Sequence, residues 1–184
     1  MSVKRLLSAV VAVGLSAATV LAQGDDFAFM PAGGGSILSE SLLPGDPAGL
    51  AEAAAREASA EEWAAWARKR NPHLTDAAIE TFAGYAALNF PVVAETAQSL
   101  VETGDPGLLP PDGKELAIAQ CQFCHSLFTG YLMQDRDETN WRGTFKAPFH
   151  AEIPMSEVER DTFAHYSAIN MPLKFDDVPP ELRF

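Results

Sequence analysis

Residues 121 to 125 read Cys-Gln-Phe-Cys-His and contain both cysteines of the chain, with a histidine directly behind the second. Three chemistries use thiols at this spacing: disulfide exchange, metal binding, and covalent attachment of a haem through two thioethers. A disulfide closing so short a loop would constrain little of the unfolded chain, so a structural bridge is a poor account of the pair. A redox CxxC of the thioredoxin type sits at a strand-to-helix junction in an alternating βαβ pattern, whereas both flanks here have helical periodicity. Zinc asks for four ligands. Cys121, Cys124 and His125 supply three, and His150 could complete the set. Haem attachment uses every member of the motif, with Cys121 and Cys124 on the porphyrin and His125 as the proximal iron ligand.

The elements that must position these residues are legible on both sides. Pro110-Pro111 ends a linker, Asp112 with Glu115 forms a capping-box pattern, and Leu116 and Ala119 supply the inner face of a helix running into Cys121. Ser156 with Glu159 repeats the pattern, and the helix it opens carries Val158, Thr162, Phe163, Tyr166 and Ile169 at helical spacing. Trp141 falls on an intervening helix of about ten residues before Pro148, where a large apolar wall or an ordinary core position is expected.

Gly113-Lys-Glu-Leu-Ala-Ile-Ala-Gln-Cys121, the CxxCH motif and a terminal helix with Tyr166 together resemble the class I cytochrome c family. The resemblance covers the C-terminal half. It implies one covalently attached haem c, an aromatic at Tyr166 packing on the first helix, and a sixth ligand in the loop before the terminal helix. That family places a methionine there, but alignment through Ser156 and Tyr166 puts the position on His150. Met171 follows the terminal helix, Met155 occupies a hydrophobic-staple position, and Met133 is only eight residues past His125. His150 is the expected ligand, with Met171 and then Met155 as alternatives. A second histidine would lower the reduction potential relative to methionine.

A repeat accompanies the motif. Thr-Phe-Ala-Gly-Tyr-Ala-Ala-Leu-Asn-Phe-Pro at 81–91 matches Thr-Phe-Ala-His-Tyr-Ser-Ala-Ile-Asn-Met-Pro at 162–172, and Trp63 pairs with Trp141. The first copy lacks CxxCH and cannot hold a covalent haem. His73, which loosely parallels His150, and His165 are expected at the surface. Residues 25–49, rich in Gly and Pro, read as an extended surface arm. Asp46-Pro47 then starts an Ala- and Glu-rich helix. The organisation expected is a signal peptide at 1–22, a helical unit with its arm at 23–108, and a cytochrome c domain at 109–184, all of it α-helical.

Lys4 and Arg5 ahead of an uncharged run ending Val20-Leu21-Ala22 have the form of a secretory leader, which points to the periplasm and leaves no membrane span after cleavage. The formal net charge of −12 would become −14 without it. So acidic a chain is unsuited to nucleic acid and anionic lipid, and suits brief docking on a protein redox partner with a basic face. With both axial positions filled by protein, single-electron transfer is the expected role, with no catalytic residues. A weakly filled sixth position would instead suit small-ligand binding or sensing.

Overall fold

The structure, a computed structural model, describes residues 26–122, 124 and 126–183. The expected leader and His125 lie outside the described residues. Among the described residues every regular element is helical, so the fold is all-α as the periodicity requires. No helix there is long and apolar enough to cross a membrane.

The first half contains α1 (Gly34–Ser36), which continues as a π-helical turn Ile37–Leu42, then α2 (Pro47–Ala54), α3 (Ala60–Arg70), α4 (Asp76–Asn89) and α5 (Ala94–Thr103). The second contains α6 (Gly113–Cys121), a π-helical turn Phe128–Leu132, α7 (Glu138–Thr144), α8 (Pro148–Ala151) and α9 (Glu157–Asn170). The starts follow from side chains that satisfy the first free N–H groups of each helix. Reciprocal capping boxes close on Ser59 with Glu62, Asp112 with Glu115, and Ser156 with Glu159, and Asp46 caps α2 ahead of Pro47. The helix carrying Trp141 is shorter than its sequence context implies, because Asp137 starts it late and Gly143 lies near its end.

α4 and α9 are the two copies of the repeat, and they pack directly on each other. Asn89 Nδ2 donates to Thr162 Oγ1 at 2.9 Å, and Asn170 Nδ2 donates to Thr81 Oγ1 at 2.9 Å. The Tyr85 hydroxyl donates to the Pro110 carbonyl at 2.7 Å, and that of Tyr166 to the Pro31 carbonyl at 2.7 Å. Burial pushes both phenols above their ordinary range, with the Asp112 carboxylate adding to the effect, so they remain donors. Such reciprocity, where a residue of one half meets its counterpart's partner in the other, is the contact pattern of a two-fold interface.

At the crossing the equivalent positions 84 and 165 meet each other. Gly84 leaves the room that the His165 ring fills. A histidine in both copies would collide and a glycine in both would leave a hole. His165 is therefore half-buried, with Nδ1 3.2 Å from Glu138 Oε2 and Nε2 3.1 Å from the Glu80 carbonyl, rather than a solvated surface residue. His73 is exposed.

The segment 34–42 departs from the extended arm expected for it. Ile37, Leu38 and Leu42 are buried in the first core together with Trp63, Phe82 and Tyr85. Gly34 lies against the Tyr85 side chain as Gly113 lies against that of Tyr166, so this helix is the counterpart of α6. The run of glycines marks close backbone approach here, not flexibility. Only the residues ahead of it form a lead-in, and Met30 buries into the second core while Leu109, in the matching place before α6, buries into the first.

Gly113→Ala puts a Cβ into the Tyr166 side chain and the Thr162 carbonyl, neither of which can retreat without moving α9. Its expected cost, with Gly34→Ala behaving alike against Tyr85, is ~1–3 kcal/mol of overpacking, read by urea unfolding at unchanged m-value.

Candidate functional site

Cys121 ends α6, whose Leu116 and Ala117 are buried against α9. The helix thus delivers one thiol to a cavity of about 320 Å³, lined by Cys121 and Cys124 and by His150, Ile153 and Met155 in the segment running from α8 to the start of α9. Tyr131, Trp141, Phe145 and Phe163 supply aromatic walls. That volume lies within the roughly 300–1,000 Å³ of small-molecule and cofactor pockets.

The walls are fixed by ring packing. Trp141 meets Phe163 edge-on at 5.6 Å, Phe145 meets Phe163 at 5.6 Å, and Tyr131 lies 5.3 Å from Trp141. The Tyr131 hydroxyl is held 3.0 Å from Ser167 Oγ, and burial pushes its phenol well above the ordinary range. His150 Nδ1 lies 3.2 Å from the Thr144 carbonyl. A proton on Nδ1, donated to that oxygen, makes Nε2 the basic nitrogen of the ring, the tautomer a metal-ligating imidazole needs.

The residues singled out by sequence divide here. Cys121, Cys124 and His150 come together on one cavity, and Met155, 7% exposed, joins them. Met171 does not line it. It follows α9, with its N–H on the Ser167 carbonyl, and packs in the second core beside Met30 and Leu116. Met133 is half-buried and packs against that core, outside the lining. Among the described residues no three His, Cys, Asp or Glu side chains converge as a metal-binding group.

Two residues that belong to no sequence motif matter to the site. Arg136 lines the cavity, its guanidinium 5.1 Å from the Trp141 ring centroid and bonded to Thr144 Oγ1 and Gln134 Oε1 at 3.1 Å each. Arg160 bonds three carbonyls of the segment that carries His150 and Met155: Met155 at 3.1 Å, Ala151 at 2.9 Å and Ile153 at 3.3 Å. A cation in the first turns of a helix, where the dipole favours anions, is the one signal for Arg160 in the sequence.

The residues present fit a haem on three counts. Two free thiols line one largely apolar slot. An imidazole and a thioether stand on its walls. Trp141 Nε1 is buried without a hydrogen-bond partner, and Arg136 on the lining offers a guanidinium to the carboxylates such a group carries.

The matching place in the first half is filled. Trp63, equivalent to Trp141, is packed by Trp66, Phe82 and Phe90 at 5.6, 5.8 and 6.0 Å, and α2 contributes Leu50, Ala51, Ala53 and Ala54 to the same core. Leu74 and Leu42 stand where the second half has Met155 and Cys121. Comparison of the chain with protein-family models, curated proteins and solved structures returned no match.

Burial pushes the Cys121 thiol up to about 12, while Cys124 is exposed. Because a raised pKa leaves the unreactive thiol dominant below it, the chain with both thiols free should take up iodoacetamide at Cys124 first at pH 8. Labelling of Cys121 should rise about ten-fold per pH unit as pH climbs towards 12 while the fold persists; peptide mass spectrometry reads both sites.

Proposed function

We propose that the cavity of the second half holds one haem c and that the protein is a periplasmic electron carrier of the class I cytochrome c kind. The observation that carries this reading is the contrast between two equivalent places in one chain. Where the sequence has CxxCH there is a cavity lined by both cysteines and a histidine, and where it has none the space is packed with apolar side chains.

In this reading Cys121 and Cys124 hold the porphyrin as thioethers, and His125 is the proximal ligand. His150 is the sixth ligand through Nε2, oriented by the Thr144 carbonyl. Met155, on the same cavity, is the competing ligand in place of Met171. When bound, the haem would supply one-electron redox chemistry, with His125 and His150 as the residues that would hold its iron. The chain's own part is to fix the ligands and to exclude water. Phe163, Trp141, Phe145 and Tyr131 keep the slot dry, and Arg160 holds the segment bearing His150 and Met155 at a fixed distance from α9. The net charge of −12 supports docking on a redox partner with a basic face and speaks against nucleic acid. The leader pattern supports export.

Two results test this. Cys121→Ala with Cys124→Ala should abolish haem staining on a denaturing gel after expression with haem maturation, and a band that persists would sink the proposal. His150→Ala should turn a low-spin ferrous spectrum that ignores carbon monoxide into one that responds to it, with Met155→Leu unchanged. If Met155→Leu alone opens the iron, Met155 is the ligand. If the native protein binds carbon monoxide rapidly, the sixth position is open and small-ligand binding replaces electron transfer.

A further inference from the structure

Among the described residues, two grooves share lining with the cavity of the second half, and their charges are opposite. One, of about 410 Å³, meets the cavity at Phe145 and is lined by Arg142, Lys146 and Arg160 against a single acid, Glu157. The other, of about 510 Å³, meets it at Gln120 and includes Pro154, the residue between Ile153 and Met155 of the cavity lining. Glu40, Asp112, Glu115 and Glu159 line this second groove, and no Lys, Arg or His does among the described residues.

The acidic groove lies where the halves join. Ser36, Ser39 and Glu40 belong to the first half, while Leu109 and Pro110 of the connecting segment and Leu116 of α6 give the groove apolar surface. Asp112 is 1% exposed, its carboxylate accepting from the N–H groups of Lys114 and Glu115 at 3.0 and 3.1 Å. Burial first, and then the Asp112 charge, push the Glu115 carboxyl above its ordinary range, against the pull of the Asp112 N–H that it accepts. The lining itself offers no cation to offset these acids.

Carboxylates beside leucine and proline suit a ligand that is both cationic and apolar. Lysine and arginine side chains fit, because the aliphatic stem can lie on apolar surface while the charged end reaches the acids. We propose that this groove is the docking site for a basic segment of the protein that exchanges electrons with the haem. The inference rests on the proposed function and fixes the side from which the partner approaches. A basic partner is repelled by the groove of Arg142, Lys146 and Arg160 and drawn to the acidic one, which runs into the cavity lining at Gln120. Docking there touches both halves, so the haem-free half takes part in recognition.

The test is calorimetric titration of the full-length, reduced protein with the capped peptide Lys-Leu-Pro-Lys-Leu-Pro-Lys at ~0.1 M salt, where a Debye length of about 10 Å limits the pull of distant acids. Binding should saturate, and the same peptide with Glu in place of Lys should not bind. Glu40→Gln with Glu159→Gln should weaken binding about five-fold or more through loss of two ion pairs. A glutamine at the second position still closes the capping box with Ser156, so α9 keeps its start. Glu61→Gln with Glu80→Gln, an equal change of charge on a different groove, should leave the affinity within about two-fold. In the unsubstituted, nitrogen-15-labelled protein the amide signals of Gly35, Gly107 and Ala119 should move on titration, which reads the site without any variant. No saturable binding, equal weakening by the two pairs, shifts that avoid the groove, or equal affinity for spermidine, which would make it a small-cation site, would each overturn the proposal. Neither readout requires haem, whereas haem staining tests its attachment, so the docking site and the proposed function fail separately.

Discussion

The packing of α4 on α9 is the constraint on which everything else rests. Each helix lends an asparagine to a threonine of the other, Asn89 to Thr162 and Asn170 to Thr81, and both threonines are buried. A buried hydroxyl without its partner is expensive, so the two bonds fix the register of the helices as well as their proximity. From that register follow the positions of Tyr85 and Tyr166, the glycines beneath them, and the helices those glycines begin. The end of α6, and with it Cys121, is placed by the contact of Gly113 with Tyr166.

One scaffold used twice has therefore been filled in two ways. In the first half the tryptophan of α3 is enclosed by aromatic rings and by α2, and in the second the tryptophan of α7 looks onto a slot with two thiols and a histidine. The halves are not separable attachments. Met30 and Leu109 each bury in the core of the opposite half, and the tyrosine hydroxyls reach across in the same way. On the proposed function, the haem-free half is the packing surface that orients α9 and, through it, the walls of the cavity.

The caps, the helical class and the repeat are legible in the chain itself, because each depends on residues close in sequence: a Ser or Asp with a Glu three positions on, apolar side chains at helical spacing, and a shared run of types at 81–91 and 162–172. The thiol pair, with the short list of chemistries open to it, is legible for the same reason. What the sequence leaves undecided is what depends on distances across the fold. Gly33-Gly34-Gly35 looks like slack chain until Tyr85 and Asp112 are seen pressed against it. Met171 and Met155 are both candidate thioethers in sequence and both are buried in the second core, and only tertiary packing sets Met155, and not Met171, on the lining of the cavity. His165 has the look of a surface residue because nothing local shows that its neighbour across the crossing is Gly84. Local chemistry is thus determined by the sequence itself, while the choice among like residues is made by which of them the crossing of α4 and α9 brings to the cavity.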